Sequence, residues 1–166
     1  MVKLLLLFSL FLLYHSETGV IYWENSRYLS WRDFKAHPLS GTKHIAKSAC
    51  GISIKRSNNK NGYIIKAYFI PERSWYIKNK ISENTLRHEQ LHFDIAELFA
   101  CKMKKHFLKV NLSFENIKHD FDSLFLTYEQ FQQTYDKETC HGTNHTKQNN
   151  WERFVHYQMK LYKNYQ

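Results

Sequence analysis

Ser82-Glu83-Asn84-Thr85-Leu86-Arg87-His88-Glu89-Gln90-Leu91-His92-Phe93-Asp94-Ile95-Ala96-Glu97-Leu98-Phe99-Ala100 is the stretch that decides the fold. No Pro or Gly interrupts Glu83 to His106, and Ser82 followed by Glu83 supplies a capping oxygen and a first-turn acid, so the spacing predicts a long helix. Stepping 100° per residue from His88 puts His92, Ile95, Phe99 and Met103 on one stripe, flanked by Leu91 and Ala96. Glu83, Arg87, Gln90, Asp94, Glu97, Lys104 and Lys105 fall opposite, as an expected solvated face. The two histidines therefore point inward with the apolar stripe.

His88-Glu89-Gln90-Leu91-His92 has the H-E-x-x-H pattern. Four residues apart on a helix, two imidazoles stand one turn above each other and can share one metal ion. A carboxylate beside that ion, here Glu89, can take a proton from water and pass it to a leaving amine. Two buried histidines with separate partners are a costlier arrangement than two sharing a Zn2+ ion.

A catalytic zinc needs a third protein ligand and an open position. The helix offers none, because Asp94 and Glu97 project to its polar side. The metzincin extension is also absent, with Ile95 and Leu98 where Gly and His would stand. Of the other histidines, His15 ends a leader, His37 precedes Pro38 and His44 opens a strand. His106 lies turns away, His119 sits among charges, His145 is in a polar loop and His156 is in the last helix. His141 differs, because Gly142 can stop the preceding helix and let the side chain turn inward. Asp136 is the other candidate, since zinc accepts carboxylate oxygen. Tyr135, Asp136 and Thr139 are also candidates for groups that orient the ligands, and Tyr135 is either an oxyanion donor or core.

Three blocks of the chain resemble the bacterial domain of unknown function 922 family, described as secreted zinc-dependent proteases. They are Tyr28-Leu29-Ser30-Trp31-Arg32-Asp33-Phe34; Ser74-Trp75 with Leu86 to Leu98; and Tyr135-Asp136-Lys137-Glu138-Thr139-Cys140-His141-Gly142, with Gln148 and Trp151 after it. The resemblance implies a zincin-like fold, His88 and His92 as zinc ligands, Glu89 as catalytic acid/base, and His141 as the preferred third ligand. Cys101 stands where the family usually has Arg, which removes a charge that would pair with Glu97 at the periphery.

Lys3 followed by the apolar run Leu4 to Leu13 is too short to span a membrane and suits a signal peptide, so residues 1–16 are expected to direct export and 17–166 to form the metallopeptidase domain. Ser16 is a fair cleavage residue and Tyr14 a bulky one, so an uncleaved N-terminal anchor is the other outcome. Losing residues 1–16 lowers the formal charge from +9 to +8. That basicity is scattered, with no zinc-finger, basic-zipper or RNA-binding signature, which argues against nucleic acid and allows weak attraction to an anionic envelope surface. Three cysteines permit one bridge and a free thiol, and Cys140 as a zinc ligand would be unusual for this type of site. Asn111-Leu112-Ser113 and Asn144-His145-Thr146 fit the glycosylation pattern.

Ile45 to Lys55 and Tyr63 to Ile70 alternate like strands around a polar hairpin loop from Ser57 to Gly62, and Pro71 ends the second. An edge strand beside the groove would let a peptide substrate add by backbone pairing. Trp75 and Tyr76 are expected core rather than groove. Ser113 to Thr139 and Thr146 to Lys163 carry helical stripes: Leu124, Tyr128, Phe131 and Tyr135; then Trp151, Phe154, Val155, Met159 and Leu161. The expected architecture is a single α+β, zincin-like domain: a small antiparallel sheet packed on a long H-E-x-x-H helix, with further C-terminal helices. The expected activity is peptide-bond hydrolysis, set against a non-catalytic, zinc-stabilised envelope binding protein.

Overall fold

The computed structural model describes residues 19–57, 63–110 and 114–166. The leader at 1–16, most of the expected hairpin loop at 58–62 and the Asn111-Leu112-Ser113 pattern lie outside the described residues. The fold is α+β, with three helices and two small antiparallel sheets. The strands are β1 (Ile21–Tyr22), β2 (Ala46–Lys47), β3 (Cys50–Arg56), β4 (Tyr63–Phe69) and β5 (Trp75–Tyr76); the helices are α1 (Glu83–Lys109), α2 (Phe114–Thr139) and α3 (His145–Leu161).

β3 and β4 pair along their whole length, from Cys50 against Phe69 to Arg56 against Tyr63, as the alternating sequence requires. The first expected strand is nevertheless broken at Ser48-Ala49. There the Ala49 amide donates to Ser74 Oγ at 2.9 Å and its carbonyl accepts from the Ile70 amide at 2.8 Å. The segment before the break pairs instead with β5 in a separate two-stranded sheet. β1 covers the other side of β4, which makes the strand ended by Pro71 the centre of its sheet. The free edge beside the cavity described below belongs to β2.

Helix α1 starts where the sequence places it. The Thr85 amide donates to Ser82 Oγ and Thr85 Oγ1 accepts from the Ser82 amide, both at 3.2 Å, a reciprocal cap that satisfies two otherwise orphaned donors. The expectation of a solvated face is corrected: β3 and β4 cover one side of α1 and α2 and α3 the other, so Asp94 and Glu97 are buried along with Leu91, Phe93, Ile95, Leu98 and Met103. A helix packed on several sides needs partners for its acids, and both have them. Asp94 Oδ1 accepts from Trp23 Nε1 at 2.9 Å and Gln90 Nε2 at 2.8 Å, and His156 Nε2 lies 3.5 Å from Oδ2. Glu97 takes the Cys101 thiol at 3.2 Å and Lys104 Nζ at 3.4 Å. Cys101 is thus a buried donor to Glu97 rather than a gap at the periphery, and Lys104 supplies the cation.

Gln90 also fixes the first of the three blocks, its Oε1 accepting from the Leu29 amide at 2.7 Å. Leu29 and Phe34 are buried there, on either side of a short turn in which Asp33 caps back onto Ser30. On α2, Tyr128 and Tyr135 are buried; on α3, Val155 and Met159 are, whereas Phe154 and Leu161 are exposed. Trp151 packs its ring 5.0 Å from Phe131 and 5.3 Å from Tyr135, which joins the two helices. Trp75 is buried, as a core residue would be, but it also lines the cavity described below, so it serves both core and groove. The three cysteines are all free: Cys101 buried, Cys50 half-buried and Cys140 exposed. Among the described residues, no helix is long and apolar enough to cross a membrane.

The Asp94 cluster ties the N-terminal segment to α1 and α3, so Asp94→Ala should cost about 2–3 kcal/mol by urea denaturation, because Trp23 and Gln90 both lose their acceptor. The hydrogen bond to Asp94 raises the His156 pKa, with burial opposing and the Asp94 and Glu152 charges adding. Stabilisation from a raised His pKa is fully present below the unfolded value of about 6.5 and is lost as pH rises through the folded value. Stability should therefore fall more steeply as pH rises above about 6.5 in the wild type than in His156→Gln. Equal slopes would remove His156 from the account.

Candidate metal centre

His88 and His92 lie in the second and third turns of α1, and the final turns of α2 face them. The His88 and His92 Nε2 atoms are 3.2 Å apart, and each is 3.1 Å from Asp136 Oδ1. Beneath them lies Tyr135, fully buried, its ring stacked on His88 at 4.6 Å and edge-on to His92 at 4.9 Å. The Tyr135 hydroxyl faces the His88 carbonyl at 3.1 Å and Gln148 Oε1 at 2.9 Å, and burial pushes its pKa well above the ordinary value. Its one proton is committed there. Of the two readings of Tyr135, the structure shows the core one: its ring is the platform under the imidazoles.

The protonation of both rings follows from two amides. Gln132 Nε2 donates to the His92 carbonyl at 2.9 Å, so its Oε1, 2.6 Å from His92 Nδ1, must accept from that nitrogen. Gln148 Nε2 donates to Glu152 Oε1 at 3.0 Å, so its Oε1 accepts from His88 Nδ1 at 3.1 Å. Arg87 holds Glu152 in turn, with Nε 3.1 Å from Oε1 and Nη2 on Oε2. Each imidazole is thereby pinned with Nδ1–H outward and its Nε2 aimed at Asp136. Burial alone would lower the His92 pKa, but hydrogen bonding to Asp136 and the Asp136 and Glu89 charges raise it. Burial would likewise raise Asp136, but hydrogen bonds from His88 and His92 outweigh it and hold that carboxyl well below the usual carboxylate range.

The turn after α2 brings in the remaining candidate. Cys140, His141 and Gly142 all have left-handed backbones, with φ of 48°, 52° and 80°. For the two non-glycine residues this costs about 1–2 kcal/mol each. Gly142 is required for a second reason: a Cβ there would stand 2.8 Å from His88 Cβ. The turn is tied back by the His141 amide on the Asp136 carbonyl at 2.9 Å and the Asn144 amide on the Thr139 carbonyl at 2.8 Å. His141 Nδ1 reaches 3.3 Å from Asp136 Oδ1, but its side chain is 52% exposed. Two groupings of donor atoms therefore overlap. His88, Asp136 and His141 lie within 4.8 Å of one another, whereas His88, His92 and Asp136 are mutually within 3.2 Å and more enclosed. Asp136 belongs to both groupings, and His141 to the wider one. Cys140 is exposed, its thiol 3.9 Å from the Lys137 carbonyl, outside both groupings.

These atoms open into a cavity of about 380 Å3 lined by His44, Ala46, Ser48, Trp75, Glu89 and His141, among others. Glu89 is 3% exposed and its Oε2 has no hydrogen-bond partner among the described residues. A buried carboxylate oxygen with nothing to accept is costly, and two imidazole Nε2 atoms and a carboxylate converging on one point need protons or a cation between them. One divalent cation with attendant water answers both, and the N,N,O donor set suits zinc. The donor set and the orphaned oxygen thus fit the ion.

Four residues of the site escape the sequence: Gln132, Glu152, Arg87 and His44. The first two carry a readable signal, since Gln132 and Asp136, like Gln148 and Glu152, stand one helical turn apart. Compared with known proteins, the chain matches no family model, no curated protein and no solved structure.

Gln132→Leu should retain the fold yet weaken zinc binding about 10–100-fold by competition with a chelator, because the His92 tautomer is no longer imposed. Gly142→Ala should weaken it as well, through displacement of His88. Unchanged affinity in both would show that the pinned tautomers are incidental.

Proposed function

We propose that this chain is an exported zinc-dependent hydrolase of peptide bonds, zincin-like and akin to the bacterial secreted proteases that its three sequence blocks resemble. The observation that carries the reading is Glu89 Oε2, buried and unpartnered in the wall of the cavity that His88, His92 and Asp136 share. In this reading His88 Nε2, His92 Nε2 and Asp136 hold the ion. When bound, zinc supplies Lewis acidity, which polarises a carbonyl oxygen and acidifies water.

Glu89 takes the proton of the attacking water on Oε2 and delivers it to the amine as the peptide bond breaks. Its burial keeps bulk water from competing for that oxygen. Gln132 and Gln148 hold the imidazoles through Nδ1–H, so neither ring has to reorient during turnover. Strand β2 positions the substrate. The Ile77 amide donates to the Ile45 carbonyl at 2.8 Å, so the alternation of an antiparallel ladder turns the Ala46 N–H and C=O toward the free edge. An extended peptide can add there, with Ala46 and Trp75 already lining the cavity.

Glu89→Gln is the sharpest variant, because it preserves shape and removes the base. It should bind as much zinc as the wild type and cleave a mixed fluorogenic peptide library at least about 100-fold more slowly. Hydrolysis at the wild-type rate, or loss of zinc with Glu89→Gln, would contradict the mechanism. Zinc binding with no cleavage by the wild type would favour a zinc-stabilised binding protein.

A further inference from the structure

Helix α3 carries more apolar side chains than the core uses. Val155 and Met159 are buried, whereas Phe154 is 46%, Tyr157 60% and Leu161 58% exposed. Stepping along the helix from Phe154, Leu161 falls about 20° away and Tyr157 about 60°, on the side opposite Val155 and Met159. The three therefore form one outward strip. Among the described residues, the other large exposed apolar side chains, Tyr28, Leu39, Ile64, Leu108 and Leu126, stand singly on other elements and loops. Single exposed residues need no explanation, but a strip does.

The charges around the strip supply one. Lys147, Arg153, Lys160 and Lys163 are all exposed, and from His145 to Gln166 they stand against one acid, Glu152, a formal +3. Glu152 is engaged by Arg87 and Gln148, away from the outer face. Lys147 lies 3.9 Å from Glu138, and Arg153 donates to Asn150 Oδ1 at 2.6 Å. Among the described residues, Arg153, Lys160 and Lys163 have no acid within ion-pair distance. The basicity that is scattered along the sequence is thus gathered beside the apolar strip.

From this arrangement we infer that the outer face of α3 docks on an anionic lipid bilayer, with Phe154, Tyr157 and Leu161 at the headgroup boundary and Arg153, Lys160 and Lys163 beside lipid phosphates. Helices that lie in that boundary combine aromatic and Leu side chains on one side with Lys and Arg flanking them, and Tyr suits the same depth. A protein partner fits less well. Three part-exposed side chains on one convex helix bury far less than the roughly 1,200 Å2 of a stable protein contact, whereas a fluid boundary needs no complementary shape. Attachment through one helix face is weak and reversible. None of these residues lines the cavity of the metal centre, so docking does not depend on the proposed zinc chemistry.

The test is partition of the full chain onto vesicles of phosphatidylcholine, alone or with about one third phosphatidylglycerol, measured by cosedimentation at low and high salt. The leader is the same in every variant, so differences between variants report on α3. The wild type should bind the anionic vesicles at least about 10-fold more tightly than the neutral ones, and added salt should shrink that ratio. Tyr157→Ser combined with Leu161→Ser should weaken binding to anionic vesicles at least about 10-fold, and Lys160→Glu combined with Lys163→Glu should remove the preference for anionic lipid. Leu161→Trp keeps the face apolar and places a reporter on it, which covers the case in which the serine variant fails to fold. Its emission should shift to the blue on anionic vesicles by more than the wild type's does, and brominated acyl chains should quench it. Indifference of the wild type to lipid charge, equal binding by the wild type and the serine variant, or no extra shift in Leu161→Trp would overturn the inference. So would a dimer in sedimentation that the serine variant dissociates, because the face would then belong to a second copy.

Discussion

Two imidazole lone pairs and a carboxylate oxygen, all within 3.2 Å of one another, form the constraint on which the rest of this molecule depends. Such atoms repel unless protons or a metal cation lie among them, and the folded chain goes to some length to hold them there. Tyr135 supports both rings from below, Gln132 and Gln148 fix their protons, and Glu152 with Arg87 fixes Gln148. All but the Gln148–Glu152 bond, which lies within α3, join α1 to α2 or α3. The same packing that buries the apolar stripe of α1 therefore assembles the polar cluster.

The stability costs gather at one end of the fold. The left-handed turn at Cys140 and His141, which carries the His141 ring into the cavity wall, and the Glu89 oxygen with no partner among the described residues lie close together. Elsewhere buried acids are answered: Asp94 by Trp23 and Gln90, Glu97 by Cys101 and Lys104. Among the described residues, left-handed non-glycine backbone and an unmet buried carboxylate oxygen occur only here, beside the candidate metal centre.

Much of this was legible in the chain because helices announce themselves locally. Ser82 and the unbroken run after it set the start of α1, and Gly142 marked the turn after α2, since capping and backbone freedom are properties of single residues. What needed tertiary context was missed. A helical wheel assigns Asp94 and Glu97 to solvent because it knows of one buried face, whereas α1 is covered on several. The strand over 45–55 read as one because alternation continues through Ser48-Ala49; only the crossing of Ser74 and Ile70 breaks it. The ranking of Asp136 behind His141 came from treating the ligand as a matter of residue type and helix end. The structure brings both within reach: Asp136 Oδ1 is 3.1 Å from each imidazole Nε2, and His141 Nδ1 is 3.3 Å from the same oxygen. His44 carried no local signal, because its neighbour His141 is distant in sequence.

The claim that one ion joins His88, His92 and Asp136 is tested most directly by crystals of the full chain grown with one equivalent of zinc and measured on both sides of the zinc absorption edge. The account predicts a strong anomalous peak about 2.0–2.2 Å from both Nε2 atoms and from a carboxylate oxygen of Asp136, with Glu89 Oε2 facing the open side. An empty density map at that point, with His88 and His92 bridged to Asp136 by protons alone, would contradict it.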